Sequence, residues 1–363
     1  MKKLLLASAV AALSITAAQA APTVYGKVFL SLDIQDGNDA AKNGGLETRS
    51  QLNSNASRIG IKGSEALTAN TDVVYQLEYR VETDVNRDRN WESRDTYLGL
   101  SNKQLGTLVA GRLTAIDEYI NYANVTKGGV IGSDDVQAYF KSVRANNAFA
   151  YFSPKYNGVQ FMGMYVLDEN DGATDNLNGD AFGVGAKYEP ENAPYKVGVT
   201  YIKASNGVSN STTSTVPGAT LDVTNGSTVV GQVTLPGTTT TTTTYDKLSA
   251  VRVSGAYAIN PALTVAGQYQ HTDFNTNDNE NAFTVSGKYK VAQTPWTAYG
   301  QLDFVDNYAG AKDVERQRVV AGAEYSFNKA TTAHLYGAYL QDKATGTQTE
   351  KAYGVGAGLE YKF

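Results

Sequence analysis

Apolar and polar residues alternate along much of this chain with a period of two. Val73, Tyr75, Leu77, Tyr79 and Val81 share one parity, and Val74, Gln76, Glu78, Arg80 and Glu82 the other. Trp296, Ala298, Gly300, Leu302 and Phe304 stand in the same way against Thr297, Tyr299, Gln301 and Asp303. So do Phe283, Val285, Gly287 and Tyr289 against Thr284, Ser286, Lys288 and Lys290. Successive side chains of a strand point to opposite faces, so each segment predicts a strand with one apolar and one polar side. About sixteen such segments follow one another, a number within the range of closed barrels.

The connections fall into two length classes. Short ones carry turn residues: Ser153 to Gly158, Glu189 to Pro194, Ile259 to Pro261, Gln293 to Pro295 and Asn328 to Ala330. Longer polar ones lie between them, at about 34–57, 84–93, 114–143, 168–180, 203–246, 273–281, 305–315 and 342–350. Short turns at one end and long loops at the other are the arrangement of an up-and-down antiparallel membrane barrel. A soluble β-sandwich has no reason to sort its connections by length. The long connection 203–246 includes an unbroken threonine run, Thr238 to Thr244. It exceeds the ~12–15 residues usual for a structureless loop and predicts a mobile or weakly β-structured surface segment, with Thr228 to Leu235 as a hairpin arm.

Tyr188, Tyr257, Tyr289, Tyr325 and Tyr361 each stand near the end of an even-numbered strand, the last three at steps of 32, 36 and 36 residues. They predict one belt at a bilayer interface, where an amphipathic ring keeps one end dry and the other wet. In the last strand Tyr353, Val355, Ala357, Leu359, Tyr361 and Phe363 form an apolar face ending on the final residue. The segment Val24 to Asp33 is its expected partner, because a sheet edge cannot be satisfied in lipid and the barrel must close.

Composition narrows the setting. Lys2 and Lys3, an apolar stretch from Leu4 to Ile15 and Ala18-Gln19-Ala20 read as a signal peptide over residues 1–20, leaving 21–363 as the barrel. The two lysines leave with it, so 29 basic residues face 36 acidic ones, a formal charge of −7. No cysteine is present, so neither disulfides nor thiolate metal sites are available. Beyond residue 20 no apolar run approaches the ~18 residues of a membrane helix, which says little about a barrel needing only every second residue apolar.

Val24-Tyr25-Gly26-Lys27 opens the first strand, and Ser57-Arg58-Ile59-Gly60-Ile61-Lys62-Gly63 lies in the second. Gly106-Thr107-Leu108-Val109-Ala110-Gly111-Arg112 precedes the third long loop, and Phe363 ends the chain. On these segments, in this order, the chain resembles the trimeric general diffusion porins of Gram-negative outer membranes over essentially its whole mature length. The resemblance implies an outer-membrane location among lipids, a homotrimer and a water-filled lumen passing ions and small hydrophilic solutes. It also implies a third loop folded inward, whose acidic residues face a basic cluster on the wall. The matching loop runs from about Thr114 to Val143, with Asp117, Glu118, Asp134 and Asp135 as its acids. In such porins the second loop reaches over a neighbouring subunit, and here Val85 to Arg94 is dense in charge. Many relatives carry Pro-Glu-Phe-Gly at the third loop's tip, whereas this chain reads Val125-Thr126-Lys127 before Gly128-Gly129, and Val130 where an acid is common.

The basic wall candidates are Lys27, Arg58, Lys62, Arg80, Arg112 and Arg144. A charge facing lipid at mid-depth costs roughly 2–4 kcal/mol, so charges within these strands belong inside. Alternation sets Arg58 and Lys62 opposite Ile59 and Ile61, and Arg80 opposite the apolar face of its strand. Arg112 shares the parity of Leu108 and Ala110, so an inward Arg112 requires a bulge at Gly111. Opposed charges across a narrow opening make a transverse field that discriminates ions.

Other classes find little support. His271 and His334 are the sole histidines, no nucleophile elbow or paired catalytic carboxylate is visible, and the enzyme reading is set aside. No cofactor or metal is implied, since two isolated histidines without cysteine make a poor ligand set. The acidic balance disfavours nucleic acid. A substrate-specific channel for a sugar or an anion, and a structural or adhesive barrel, remain as alternatives on the same fold. Single-channel conductance separates them. Neutralising Arg58, Arg112 and Arg144 together is expected to raise cation preference; unchanged reversal potentials in a salt gradient would count against their placement at the eyelet.

Overall fold

The computed structural model describes residues 21–363 apart from 45, 86–90, 130, 132–134, 139, 141–142, 168–179, 217–219, 226–227, 235–237 and 276–277. Within 206–246 it describes backbone alone. The signal-peptide reading of residues 1–20 and the candidate Asp134 lie outside the described residues.

Sixteen antiparallel strands close into one barrel. They are β1 (Thr23–Gly37), β2 (Arg49–Ser54 continuing as Arg58–Ala66), β3 (Thr71–Val81), β4 (Trp91–Ser93 continuing as Thr96–Asn102), β5 (Gly106–Thr114) and β6 (Arg144–Phe152). Then come β7 (Val159–Val166), β8 (Ala181–Tyr188), β9 (Tyr195–Val216), β10 (Thr238–Ala258) and β11 (Leu263–Asp273). The last are β12 (Glu280–Lys290), β13 (Trp296–Asp306), β14 (Val314–Ser326), β15 (Thr331–Ala344) and β16 (Glu350–Lys362). Each pairs with its neighbours in sequence, and β1 pairs with β16 from Lys27↔Lys362 to Gly37↔Ala352. The seam is sealed at its lower end by Gly26 and Phe363, which exchange backbone hydrogen bonds of 3.0 and 3.1 Å.

Closure satisfies the backbone polar groups that hydrocarbon would leave bare. Where β2 breaks at 55–57, side chains repair the ladder. The Phe29 N–H donates to the Ser57 hydroxyl at 3.0 Å, and the Asn55 N–H donates to the Phe29 carbonyl at 2.8 Å. Where β4 breaks, the Arg94 N–H donates to the Glu78 carbonyl at 2.8 Å, and the Thr96 hydroxyl accepts from the Glu78 N–H at 3.3 Å.

The two faces differ as the alternation predicts. Val285, Leu302, Phe304, Leu335, Val355 and Leu359 are exposed on the outside, while Thr284, Ser286, Gln301, Asp303, His334 and Glu360 are buried inside. Tyr257, Tyr289 and Tyr361 lie half-exposed at the short-turn end, and there Trp296 packs edge-on against Tyr325 with ring centres 4.9 Å apart. These rings form the belt expected from their spacing.

The threonine-rich segment carries more regular structure than a loose loop. β9 and β10 run on past a register shift between Ala204 and Val208, pairing Val216 with Thr238. Two short strands, Thr220–Asn225 and Thr228–Thr234, make a separate hairpin beyond them. Threonine's β-branched side chain suits a strand, which explains why a polar tract extends the ladder.

Val285 pairs with Gly267 and Leu302 in the middle of its strands and faces outward. Val285→Arg is expected to lower stability in bilayers by ~2–4 kcal/mol, while Val285→Leu leaves it unchanged. Equilibrium urea unfolding from lipid vesicles measures both; equal stability of the two variants would contradict the outward assignment.

Candidate functional site

The third long loop leaves β5 at Ala115 and returns to β6 at Val143, where the Ala115 N–H donates to the Val143 carbonyl at 3.0 Å. It begins with a 3-10 helix, Ile116–Ile120. Ile116 and Ile120 are fully buried against the inner wall, where Gly183 of β8 and Gly198 of β9 leave room for them. Ile202, Leu248, Ala250, Phe140 and Phe274 complete this apolar contact. The loop therefore docks on the inside of the barrel through a small hydrophobic core of its own.

Polar ties then track around the wall. The Tyr122 hydroxyl donates to Glu189 at 3.0 Å, and Lys196 lies over the Tyr122 ring at 4.2 Å. The Val125 N–H donates to Gln301 of β13 at 2.9 Å, and its side chain packs with Tyr299, Val320, Tyr336 and Ala338. Gly128 has φ +80, and a Cβ there would overlap the Tyr336 ring, so the tip passes this close only as glycine. Tyr336 in turn donates to Asp33 of β1 at 2.6 Å. On the return path the Ala138 N–H donates to Glu280 of β12 at 3.2 Å, and this fully buried carboxylate also accepts from the Ala309 N–H at 3.0 Å.

The strongest tie is Arg252 of β10, 1 % exposed. Its Nε donates to Gln270 at 2.9 Å and its Nη1 to the Asp117 carbonyl at 3.3 Å, while Nη2 donates to the Phe140 carbonyl. Nη2 also lies 3.2 Å from the Asp117 carboxylate and 3.5 Å from that of Asp135. Asp135 accepts hydrogen bonds from Asn121 at 3.0 Å and Gln137 at 3.1 Å, so it carries the charge that balances Arg252. Burial pushes the Asp117 carboxyl up despite the nearby guanidinium. Glu118 is pushed up to about 7, by burial first and then by the Asp135 charge.

This corrects the expected placement of the loop acids. Asp117 and Asp135 are buried on the far wall and do not face the basic cluster. Of the described loop acids, Glu118 alone lines open space, beside Tyr119 and Asp95. The physical reason is the cost of a buried guanidinium: Arg252 takes up the acids that the loop supplies.

The basic candidates lie on β1 to β6, most of them beside an acid. Lys27 pairs with Glu360 at 3.1 Å, and Arg58 with Glu78 at 3.4 Å. Arg94 shares Glu78 at 2.5 Å, Arg80 pairs with Glu82 at 2.7 Å, and Arg144 with Asp95 at 3.1 Å. Lys62 lies over the Tyr25 ring at 5.1 Å. Lys62 and Lys127 have no ion pair among the described residues. Arg112 requires a second correction. It pairs with Thr96 in unbroken register, and Val109 and Leu113 on the opposite parity are buried inward. Arg112 therefore stays on the outer parity with Leu108 and Ala110, donating from Nε to the Ser93 carbonyl at 2.9 Å and to Asn146. The register shift lies against β6, between Gly111 and Leu113, and three residues of β6 match two of β5 there.

Arg252, Gln301, Glu280 and Asp33 were not among the sequence candidates. Alternation did mark Arg252, a charge between the outward Val251 and Val253, but nothing in its spacing indicated what it would meet. Of the histidines, His271 contacts Asn281 through Nδ1 at 3.0 Å, and His334 stacks near Phe29 with ring centres 4.7 Å apart. Among the described residues no group of three possible metal ligands occurs.

Comparison with known proteins agrees with this architecture. The family described as Gram-negative porin matches residues 6–310 and 231–347. The major outer membrane protein P.IB of Neisseria sicca is 26% identical, with 100% of both chains covered. That of Neisseria gonorrhoeae is also 26% identical, over 94% of each. Among solved structures, an anion-selective porin from Comamonas acidovorans superposes with a TM-score of 0.67 at 16% identity, covering 94% of this chain and 99% of its own. OmpT of Vibrio cholerae in its trimer form gives 0.67 at 16%, covering 95% and 100%.

Two outcomes follow from the docking geometry. Arg252→Met strands the Asp135 charge and is expected to weaken loop docking by ~3–5 kcal/mol, seen as higher and noisier single-channel conductance; a quiet channel of unchanged conductance would contradict the tie. Glu118 has a raised folded value, so its protonated form favours the docked loop. Docking is then strongest below about pH 4.5, the ordinary glutamate value, and loosens as pH rises from there to about 7. Open-channel noise should grow between about pH 4.5 and 7 and lose that step in Glu118→Gln.

Proposed function

The chain belongs to the Gram-negative porin family, and on that footing we propose that its channel is a general one, narrowed by the third loop. It is an outer-membrane porin whose water-filled lumen passes ions and small hydrophilic solutes by passive diffusion. The observation that carries the general reading is the mixed wall: Lys27–Glu360, Arg58–Glu78–Arg94 and Arg144–Asp95 present both signs to water. Such a belt orients dipolar solutes without the continuous aromatic track a sugar-specific channel needs.

Solutes cross between this wall and the loop. The net field there is set by Lys62 and Lys127, which lack an acid of their own among the described residues, and by Glu118 on the loop. The channel performs no catalysis: its relatives are porins, and its two histidines lie apart on opposite faces. The protein assembles as a homotrimer in the outer membrane. A trimer form among the structural neighbours and the lipid-facing belt of rings support that reading. The second loop's reach over a neighbouring subunit belongs to the same reading. Residues 86–90 of that loop lie outside the described residues.

Reversal potentials across a salt gradient test the lining. Arg58→Gln with Arg144→Gln, and separately Lys127→Gln, are expected to shift selectivity toward cations. Arg112→Gln, on the outer parity, leaves it unchanged. A shift from Arg112→Gln equal to the others, or none from the lumen variants, would overturn this lining.

A further inference from the structure

Beneath the root of the third loop is a side chamber of about 470 Å³ between the 3-10 helix and strands β3 to β6. Tyr97, Tyr119 and Phe152 give it three aromatic walls, and Gln76, Asp95 and Glu118 supply its polar groups, over an aliphatic floor from β5 and β6. The Tyr119 and Phe152 rings meet edge-on with centres 4.9 Å apart, and Tyr119 is 41% exposed to the lumen. The volume lies within the ~300–1,000 Å³ typical of small-molecule sites.

The polar groups are unequally committed. Asp95 pairs with Arg144 at 3.1 Å and accepts from the Thr114 N–H at 2.7 Å and its hydroxyl at 2.6 Å. The Gln76 amide donates to the Asp95 carbonyl at 3.1 Å, and the Thr107 hydroxyl is 2.9 Å from that of Ser101. Glu118 has one donor, the Asn121 amide at 3.1 Å, and no ion pair among the described residues. The chamber thus holds one carboxylate without a cation of its own, set against aromatic faces.

We propose that this chamber is a binding subsite for primary amines with an apolar or aromatic body, the ammonium meeting Glu118 and the body lying against Tyr119, Phe152 and Tyr97. A cation gains from both the carboxylate and the rings' negative faces. An anion is repelled by Glu118 and Asp95. A neutral sugar gains nothing from the Glu118 charge, and the Asp95 carboxylate, the Gln76 amide nitrogen and the Thr107 hydroxyl are already engaged. The subsite retains a class of solute on its way through, so it rests on the channel reading for its purpose but not for its chemistry.

Titration of the detergent-solubilised trimer with 2-phenylethylamine, followed by saturation-transfer NMR, tests binding without requiring conduction. Saturable binding is expected for the amine and not for 2-phenylethanol or phenylacetate at the same concentrations. Glu118→Gln should weaken it roughly fivefold or more, and Tyr119→Leu should weaken it as well. Equal binding of the alcohol, or undiminished binding to Glu118→Gln, would overturn the subsite. Conductance in planar bilayers without amine reports separately on the channel itself.

Discussion

Hydrocarbon offers no hydrogen bonds, and every feature of this molecule answers to that. Backbone groups at membrane depth must pair within the protein, which forces the sheet to close between β1 and β16. Once the sheet closes, each strand has an outside and an inside, and the side chains sort by solvent. Leu302 and Phe304 face lipid while Gln301 and Asp303 of the same strand face inward. The breaks in β2 and β4 obey the same rule, because Ser57 and Thr96 supply the hydrogen bonds that the interrupted ladder loses.

The inward loop is a consequence at the next level. A wide lumen leaves charged groups such as Arg252 in need of partners, and the loop brings them. It contributes Asp135, the carbonyls of Asp117 and Phe140, and the apolar Ile116 and Ile120. Glu280 and Gln301 work in reverse, wall side chains satisfying the loop's backbone N–H groups. The loop is thus fastened along β8 to β15, and the mixed charges of β1 to β6 are left to line the open side. Selectivity and docking share one set of charges, so an acid spent on Arg252 is unavailable to the field across the pore.

The barrel was legible in the sequence because a period of two survives any detail of packing: strand number, faces, turn ends, the tyrosine belt and the terminal seam all follow from it. The wall candidates Arg58, Lys62 and Arg80 followed from the same parity. Arg112 needs no local exception: strict alternation places it outside, and the irregularity at Gly111 lies in the pairing with β6. The placement of Asp117 and Asp135 is not legible in the sequence for a different reason. Asp117 and Asp135 meet Arg252, which is more than a hundred residues away, and no spacing rule encodes a contact of that range. Lys127 at the tip, in a stretch without proline or glutamate, is the local departure from the family pattern.

The assignment of faces can be read directly, because the natural chain has no cysteine and one introduced residue becomes a unique reporter. Lys62 pairs with Gln76 and Ile61 with Leu77 in the β2–β3 register, two inward and two outward neighbours at the same depth. With cysteine at each of these positions in turn, a charged, membrane-impermeant thiol reagent should lower single-channel conductance at 62 and 76 and leave 61 and 77 unaffected. Reaction at 61 and 77 with 62 and 76 protected, or no dependence on parity at all, would contradict the account.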